Sequence, residues 1–185
     1  MTGFRLHLLR HGEPELVGRM LGRTDSPATA HGVAACAARA AGLDVARRIT
    51  SDLSRARACA EAIGPAEADP RWRELDFGAW DGLAAADIDR QALGRFWDDP
   101  DACPPPGGER WSDLVARVRA ALTELPPEPT LIVTHGGAMR AALHILCGFD
   151  ARAVWAFALP YASLITLDVW DGEPRAAQVT GLVTA

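Results

Sequence analysis

The chain has 185 residues, 49% of them apolar, and a formal net charge of −5 with no block of like charge; this allows one sizeable core and leaves no broad basic footprint for nucleic acid. No apolar run approaches bilayer length, and the N-terminus carries neither the hydrophobic block nor the cleavage site of a secretory signal, so no membrane partner is expected and the expected compartment is the cytoplasm. Cys36, Cys59, Cys103 and Cys147 form no Cys-x-x-Cys pair and have no histidines at zinc-finger spacing, so they read as buried thiols rather than disulfides or metal ligands.

Phe4 to Leu9 reads as a buried strand that stops at Arg10-His11-Gly12-Glu13,. After the turn-forming Gly22-Arg23-Thr24-Asp25-Ser26-Pro27, Thr29 caps a helix running to about Ala41, its first turn weakened by Gly32. Val45 to Thr50 is a second strand, and Ser51-Asp52-Leu53-Ser54 opens a helix from about Leu53 to Ile63, with Arg55 in its first turn. From Glu74 to Gly108 the pattern breaks up around Gly78, Gly82, a short helical piece from Gln91 to Trp97, and Pro104-Pro105-Pro106-Gly107-Gly108. Regularity returns with Leu114, Val118, Leu122 and Leu125 at helical spacing, capped by Ser112. A strand from Thr130 to Thr134 leads through His135 into a helix with Met139, Leu143 and Leu146 on one face. Two strands, Ser163 to Trp170 and Ala176 to Val183, flank the Asp171-Gly172 turn. This order predicts an α/β fold, a three-layer α/β/α sandwich with a mostly parallel central sheet. It is one domain, 1–185, with a small cap-like insertion at about 79–112.

Both His-Gly sequences, His11-Gly12 and His135-Gly136-Gly137, fall at the carboxyl ends of strands, where ligands gather in such sheets. Phosphoryl transfer from a monoester dianion needs cations around its oxygens, an in-line nucleophile and a proton donor for the leaving oxygen. His11 can supply a neutral imidazole nitrogen, provided that its other nitrogen donates to an acceptor such as a backbone carbonyl. Arg10 and Arg55 suit the non-bridging oxygens; His135 is a third donor, and Gly136 lets backbone approach the ligand at a helix N-terminus. Glu74 is the favoured acid, with Asp76 and Asp81 as the nearest substitutes. All nineteen Lys and Arg positions are arginine, a bias that codon usage explains, so only arginines inside motifs carry weight.

These motifs, in this order, resemble the histidine phosphatase superfamily, also called phosphoglycerate mutase-like. Arg10-His11-Gly12-Glu13, Ser51 to Ala56, Glu74 to Gly82 and His135-Gly136-Gly137 carry the resemblance across nearly the whole chain. It implies that His11 is phosphorylated, that Glu74 is the acid/base, that Arg10, Arg55 and His135 hold phosphate, and that no metal or cofactor takes part. Gly22-Arg23-Thr24-Asp25, the loop ending Gly107-Gly108-Glu109 and the short length are similar to the alpha-ribazole phosphatases and small broad-specificity phosphatases, with alpha-ribazole 5'-phosphate as an implied substrate. Pro14 and Val17 depart from the family's frequent Thr and Asn, which implies a pocket one polar contact poorer than in mutases.

Other readings are weaker. His7, His11 and Glu13 share one face only if the strand continues past Arg10, where a turn is expected, so they do not read as a metal site. His31 and His144 read as surface or packing residues, and Glu13 as structural. Arg19 and Arg23 are within reach of the substrate beyond its phosphate, and Trp80, Trp97 and Trp111 read first as cap packing. A phosphoglycerate mutase-type transferase and a catalytically silent phosphate-binding module are the alternatives to a phosphatase, a small phosphorylated molecule is the expected partner, and a homodimer is left open.

Overall fold

The computed structural model describes residues 3–184. Six strands form one sheet: β1 (Gly3–Arg10), β2 (Arg47–Thr50), β3 (Glu67–Ala68), β4 (Thr130–Thr134), β5 (Leu164–Trp170) and β6 (Ala176–Val183), in the spatial order β3-β2-β4-β1-β5-β6. The pairs β3/β2, β2/β4 and β4/β1 are parallel, whereas β1/β5 and β5/β6 are antiparallel. The helices are α1 (Ala30–Ala40), α2 (Ser54–Glu61), α3 (Arg90–Asp98), α4 (Trp111–Glu124) and α5 (Gly136–Cys147).

Alternation along the strands makes the three layers. Phe4, Leu6, Leu8 and Ile132 point into a core with Leu114, Val118 and Leu122 of α4 and Met139, Leu143 and Leu146 of α5. Leu9, Leu131 and Val133 point to the other face, against Cys36 and Ala40 of α1 and Ala56, Cys59 and Ala60 of α2. β4 is buried at every position and β1 from Leu6 to Leu9, so neither face of these stretches meets water.

Several expectations need correction. Ser112 is not a cap: α4 begins at Trp111, and Asp101 reaches across to accept the Ser112 N–H at 2.7 Å. The second strand starts at Arg47 rather than Val45, because the N–H groups of Ala46 and Arg47 both turn onto Pro129 O. β3 has two exposed residues and no apolar signature, so nothing in its composition announces it. Gly32 is required where the backbone after His11 crosses α1: a Cβ there would stand 2.5 Å from Glu13 N. Of the four free thiols, Cys36 and Cys59 are buried, but Cys103 and Cys147 are only half-buried. The segment between Gly78 and Arg110 consists of short 3-10 turns, α3 and connecting loops. No helix among the described residues is long and apolar enough to cross a membrane.

Candidate active site

Arg10 of β1 pairs with Thr134 of β4, so the next residues, His11 and His135, leave the sheet side by side with ring centroids 4.9 Å apart. Their backbones are pinned there: the His11 N–H donates to Thr134 O at 2.8 Å, and the Ala162 N–H donates to His11 O at 3.2 Å. The Nδ1 of His11 lies 2.7 Å from Gly12 O. A carbonyl only accepts, so Nδ1 carries the proton and Nε2 of the neutral ring keeps its lone pair. Burial, and then the Arg55 and Arg10 guanidinium groups, push the His11 pKa well below the usual histidine value, which leaves the ring neutral at pH 7.

His135 is set by Ser51. The Leu53 N–H donates to Ser51 Oγ, which frees the hydroxyl proton for His135 Nε2, 2.9 Å away. The imidazole proton of His135 then resides on Nδ1, which is buried and has no hydrogen-bond partner among the described residues. Burial foremost, with Arg55, His11 and Arg10 behind it, also lowers the His135 pKa well below its usual value.

The two arginines repeat this pattern. Arg10 donates from Nη1 to Leu159 O and stacks on Tyr161, with Cζ 4.4 Å from the ring centroid. Arg55 is fully buried and anchors the turn after Met20, donating to the carbonyls of Leu21, Gly22 and Thr24 at 2.7, 3.2 and 3.0 Å. Each keeps a buried Nε–H without an acceptor among the described residues. Unmatched buried donors are costly and rare. Arg10 Nε, Arg55 Nε and His135 Nδ1 around one imidazole nucleophile make a donor set for an oxyanion.

Glu74, in the segment before Gly78, lays its carboxylate against the first turn of α5. Its two carboxylate oxygens accept the Gly137 N–H at 3.0 and 3.1 Å, and Oε1 also accepts the Leu75 N–H at 2.9 Å. A Cβ on Gly137 would stand 2.1 Å from Glu74 Oε1, so glycine is needed there to seat the carboxylate. The Gly137 N–H at the N-terminus of α5 thus holds the acid,. The backbone carrying Glu74 is clamped by Arg117 of α4, which donates to the carbonyls of Arg71, Arg73 and Glu74 at 2.7 to 2.9 Å. Arg117 is itself held by both oxygens of Glu109, at 2.7 and 2.9 Å. Arg73 binds Asp52 through two nitrogens, tying the segment that leads into Arg55 to the one that carries Glu74 and lowering the Asp52 pKa.

A cavity of about 290 Å³ opens over these groups, lined by Arg10, His11, Glu74 and Gly136 and walled by residues including Phe77, Trp97, Trp111, Trp155 and Tyr161. Arg55 and His135 are not part of its wall; Arg55 acts on His11 through its charge and the His135 ring lies against that of His11. Arg23 is not brought to the cavity: its Nε pairs with Asp76 at 3.2 Å. Asp76 and Asp81 are not spare acids, because Asp76 holds Arg23 and the Gly78 N–H while Asp81 accepts the N–H groups of Arg23 and Thr24. Trp97 and Trp111 line the cavity, whereas Trp80 is core, edge-on to Phe96. His7 is buried against Thr166, His144 lies 2.6 Å from Phe149 O at the end of α5 and outside the cavity over His11, and His31 is exposed. Among the described residues no group of three His, Cys, Asp or Glu is arranged for a metal.

Sequence reading missed Ser51, Arg117, Arg140, Trp155 and Tyr161. Ser51 stood inside a quoted motif, and Arg140 follows Gly136 by one helical turn, a spacing that places both on one face. Nothing local marks Tyr161.

Residues 6–180 match the family model described as the histidine phosphatase superfamily (branch 1). The chain is similar to a probable phosphoglycerate mutase, GpmB, of Klebsiella pneumoniae subsp. pneumoniae, 33% identical with 89% of this chain and 84% of that protein covered. It is also similar to glucosyl-3-phosphoglycerate phosphatase of Mycobacterium tuberculosis, 33% identical with 76% and 74% covered. Among solved structures, mycobacterial glucosyl-3-phosphoglycerate phosphatase in complex with inorganic phosphate superposes with a TM-score of 0.84 at 28% identity, covering 96% of each chain. With the paired histidines, the strand order and these relatives in agreement, the chain belongs to the histidine phosphatase superfamily, whose members here are phosphatases or mutases.

Proposed function

We propose that this protein is a phosphomonoesterase that hydrolyses a small organic phosphate through a phosphohistidine at His11. The observation carrying this reading is the set of unmatched buried donors, Arg10 Nε, Arg55 Nε and His135 Nδ1, gathered around an imidazole whose Nε2 lone pair is free. In the first step His11 Nε2 attacks phosphorus, the P–O ester bond breaks, and Glu74 gives its proton to the leaving alkoxide. In the second, water attacks phosphorus, Glu74 takes the water proton, and the N–P bond breaks to release phosphate. The guanidinium and imidazole donors hold the charge of the transferring phosphoryl group without reorganising.

Water as the acceptor is favoured by the likeness to the glucosyl-3-phosphoglycerate phosphatase of Mycobacterium tuberculosis; Val17 is exposed and outside the cavity wall, so it does not bear on the choice. The alternative, return of phosphate to a substrate hydroxyl as in a mutase, is favoured by the likeness to the Klebsiella protein. Rapid quench with labelled ester is expected to trap acid-labile phosphate on His11, and His11→Ala to lower turnover about 10⁴-fold or more. Full activity in His11→Ala would end the reading. Counting phosphate released to water against phosphate returned to substrate separates phosphatase from mutase. The screen should include alpha-ribazole 5'-phosphate, sugar phosphates, nucleotides and phosphoglycerates.

A further inference from the structure

We infer that Arg140, seated on Trp155, reads a second anionic group, a carboxylate or phosphate, on the organic part of the substrate; this rests on the phosphomonoesterase reading. Arg140 lines the cavity together with Arg10 and His11. Its buried Nε has no hydrogen-bond partner among the described residues, and its hydrogen bond to protein is a long one, from Nη2 to Phe157 O at 3.4 Å. No carboxylate lies within salt-bridge distance of it among the described residues. The carboxylate whose charge reaches it, Glu74, is already held by the Gly137 and Leu75 N–H groups, so this largely buried guanidinium has no ion-pair partner of its own and an arriving anion would match it.

The position of this cation separates it from the phosphoryl donors. Arg10 stacks on Tyr161, whose ring is 5.5 Å from that of His11. Arg140 stacks on Trp155, with Cζ 4.2 Å from the ring centroid, and Trp155 meets Trp97 edge-on at 5.0 Å. One arginine therefore belongs to the nucleophile and the other to the tryptophan wall. They still approach each other over Gly136: a Cβ there would stand 3.0 Å from Arg140 Nη1 and 3.7 Å from Arg10 Nε. An anion one or two carbons from the ester oxygen fits that spacing, and the indole against one face of the guanidinium leaves the in-plane N–H fork free for a bidentate acceptor.

The test compares esters that differ only in the second charge. The first pair is 2-phosphoglycerate against glycerol 2-phosphate, and the second is ethane-1,2-diol bisphosphate against 2-hydroxyethyl phosphate; whichever pair shows the larger effect identifies carboxylate or phosphate as the group read. Wild type is expected to favour the charged ester of one pair in kcat/KM by about 10- to 100-fold, the range of a charge-assisted hydrogen bond. Arg140→Met, which keeps an apolar stem on Trp155, is expected to erase that preference while lowering turnover of the uncharged ester only about threefold, a far smaller loss than a missing charge pair causes. Arg140→Lys should restore part of it. Retained hydrolysis of the uncharged ester also shows that the variant folds. Equal losses on both members of each pair, or no preference in wild type, overturn the inference. If wild type hydrolyses none of the four esters, the hydrolase reading is decided by the wider screen and Arg140 by binding. Calorimetric Kd values for the same pairs on wild type and Arg140→Met then decide Arg140 by the same criterion.

Discussion

The floor of the site and its walls are built by opposite means. His11 and His135 follow directly from two neighbouring parallel strands, and Arg55 sits in the first turn of the helix after a third. The register of the sheet sets their separation, and a slip would turn every side chain to the wrong face. The walls come from short turns, α3 and loops held by side-chain hydrogen bonds: Asp81 on the 23–24 turn, Arg117 and Glu109 on the acid segment. The contrast teaches where change is tolerated. Chemistry resides where the backbone cannot move, and substrate choice resides where a loop can be rebuilt without disturbing the sheet.

That contrast can be broken from either side. The largest effect after loss of the nucleophile is expected from Glu74→Gln, about 10²- to 10⁴-fold in kcat with little change in thermal midpoint. Gly137→Ala displaces the same carboxylate without altering its chemistry and should cost about 10²-fold; wild-type kcat in either variant would remove Glu74 from the mechanism. Next is Arg117→Met, which leaves Glu109 unpaired. The two side chains are only 18% and 12% exposed, so a loss of about 3 kcal/mol in chemical denaturation is expected, with a fall in kcat as the Glu74 backbone loosens. Stability lost with kcat intact would show that the walls do not position the acid.

The pH response sharpens the comparison further. The folded-state pKa values of His11 and His135 lie well below the reference value of 6.5, so below about pH 6.5 the unfolded chain binds protons that the folded chain refuses. Stability should fall as pH drops below that value and keep falling down to the folded-state pKa values. Asp52, lowered by Arg73, adds stability that is present above its unfolded pKa and is lost only as pH falls through its lower folded value. The floor should therefore yield to acid before this part of the wall. Thermal midpoints from pH 7 to 5 should slope in wild type and flatten in His135→Gln; an unchanged slope would assign the acid sensitivity elsewhere. The smallest effect is expected from Arg57→Ala at an exposed helix pair with Glu61, about 0.3–0.5 kcal/mol with no change in kcat.

Legibility followed the same division. The floor was readable because strand ends announce themselves as apolar runs that stop at His-Gly, and both sites of the stop share one sheet edge. Fold class followed from the order of runs and helical spacings. Arg23 was misplaced because a turn arginine looks the same whether it meets substrate or Asp76. Ser112 reads as a cap because Asp101, which accepts its N–H, is eleven residues away in the chain. Trp155 and Tyr161 come from the stretch before β5, where no periodicity shows which way a side chain faces, so the aromatic walls emerge only once the chain has folded.

The bond from His11 Nδ1 to Gly12 O has one more consequence, for regiochemistry. With the pros nitrogen occupied as a donor to its own neighbour's carbonyl, phosphorus can attach only at the tele nitrogen. Antibodies that distinguish the two isomers should recognise the trapped intermediate as tele-phosphohistidine, and alkylating reagents should mark the same ring atom.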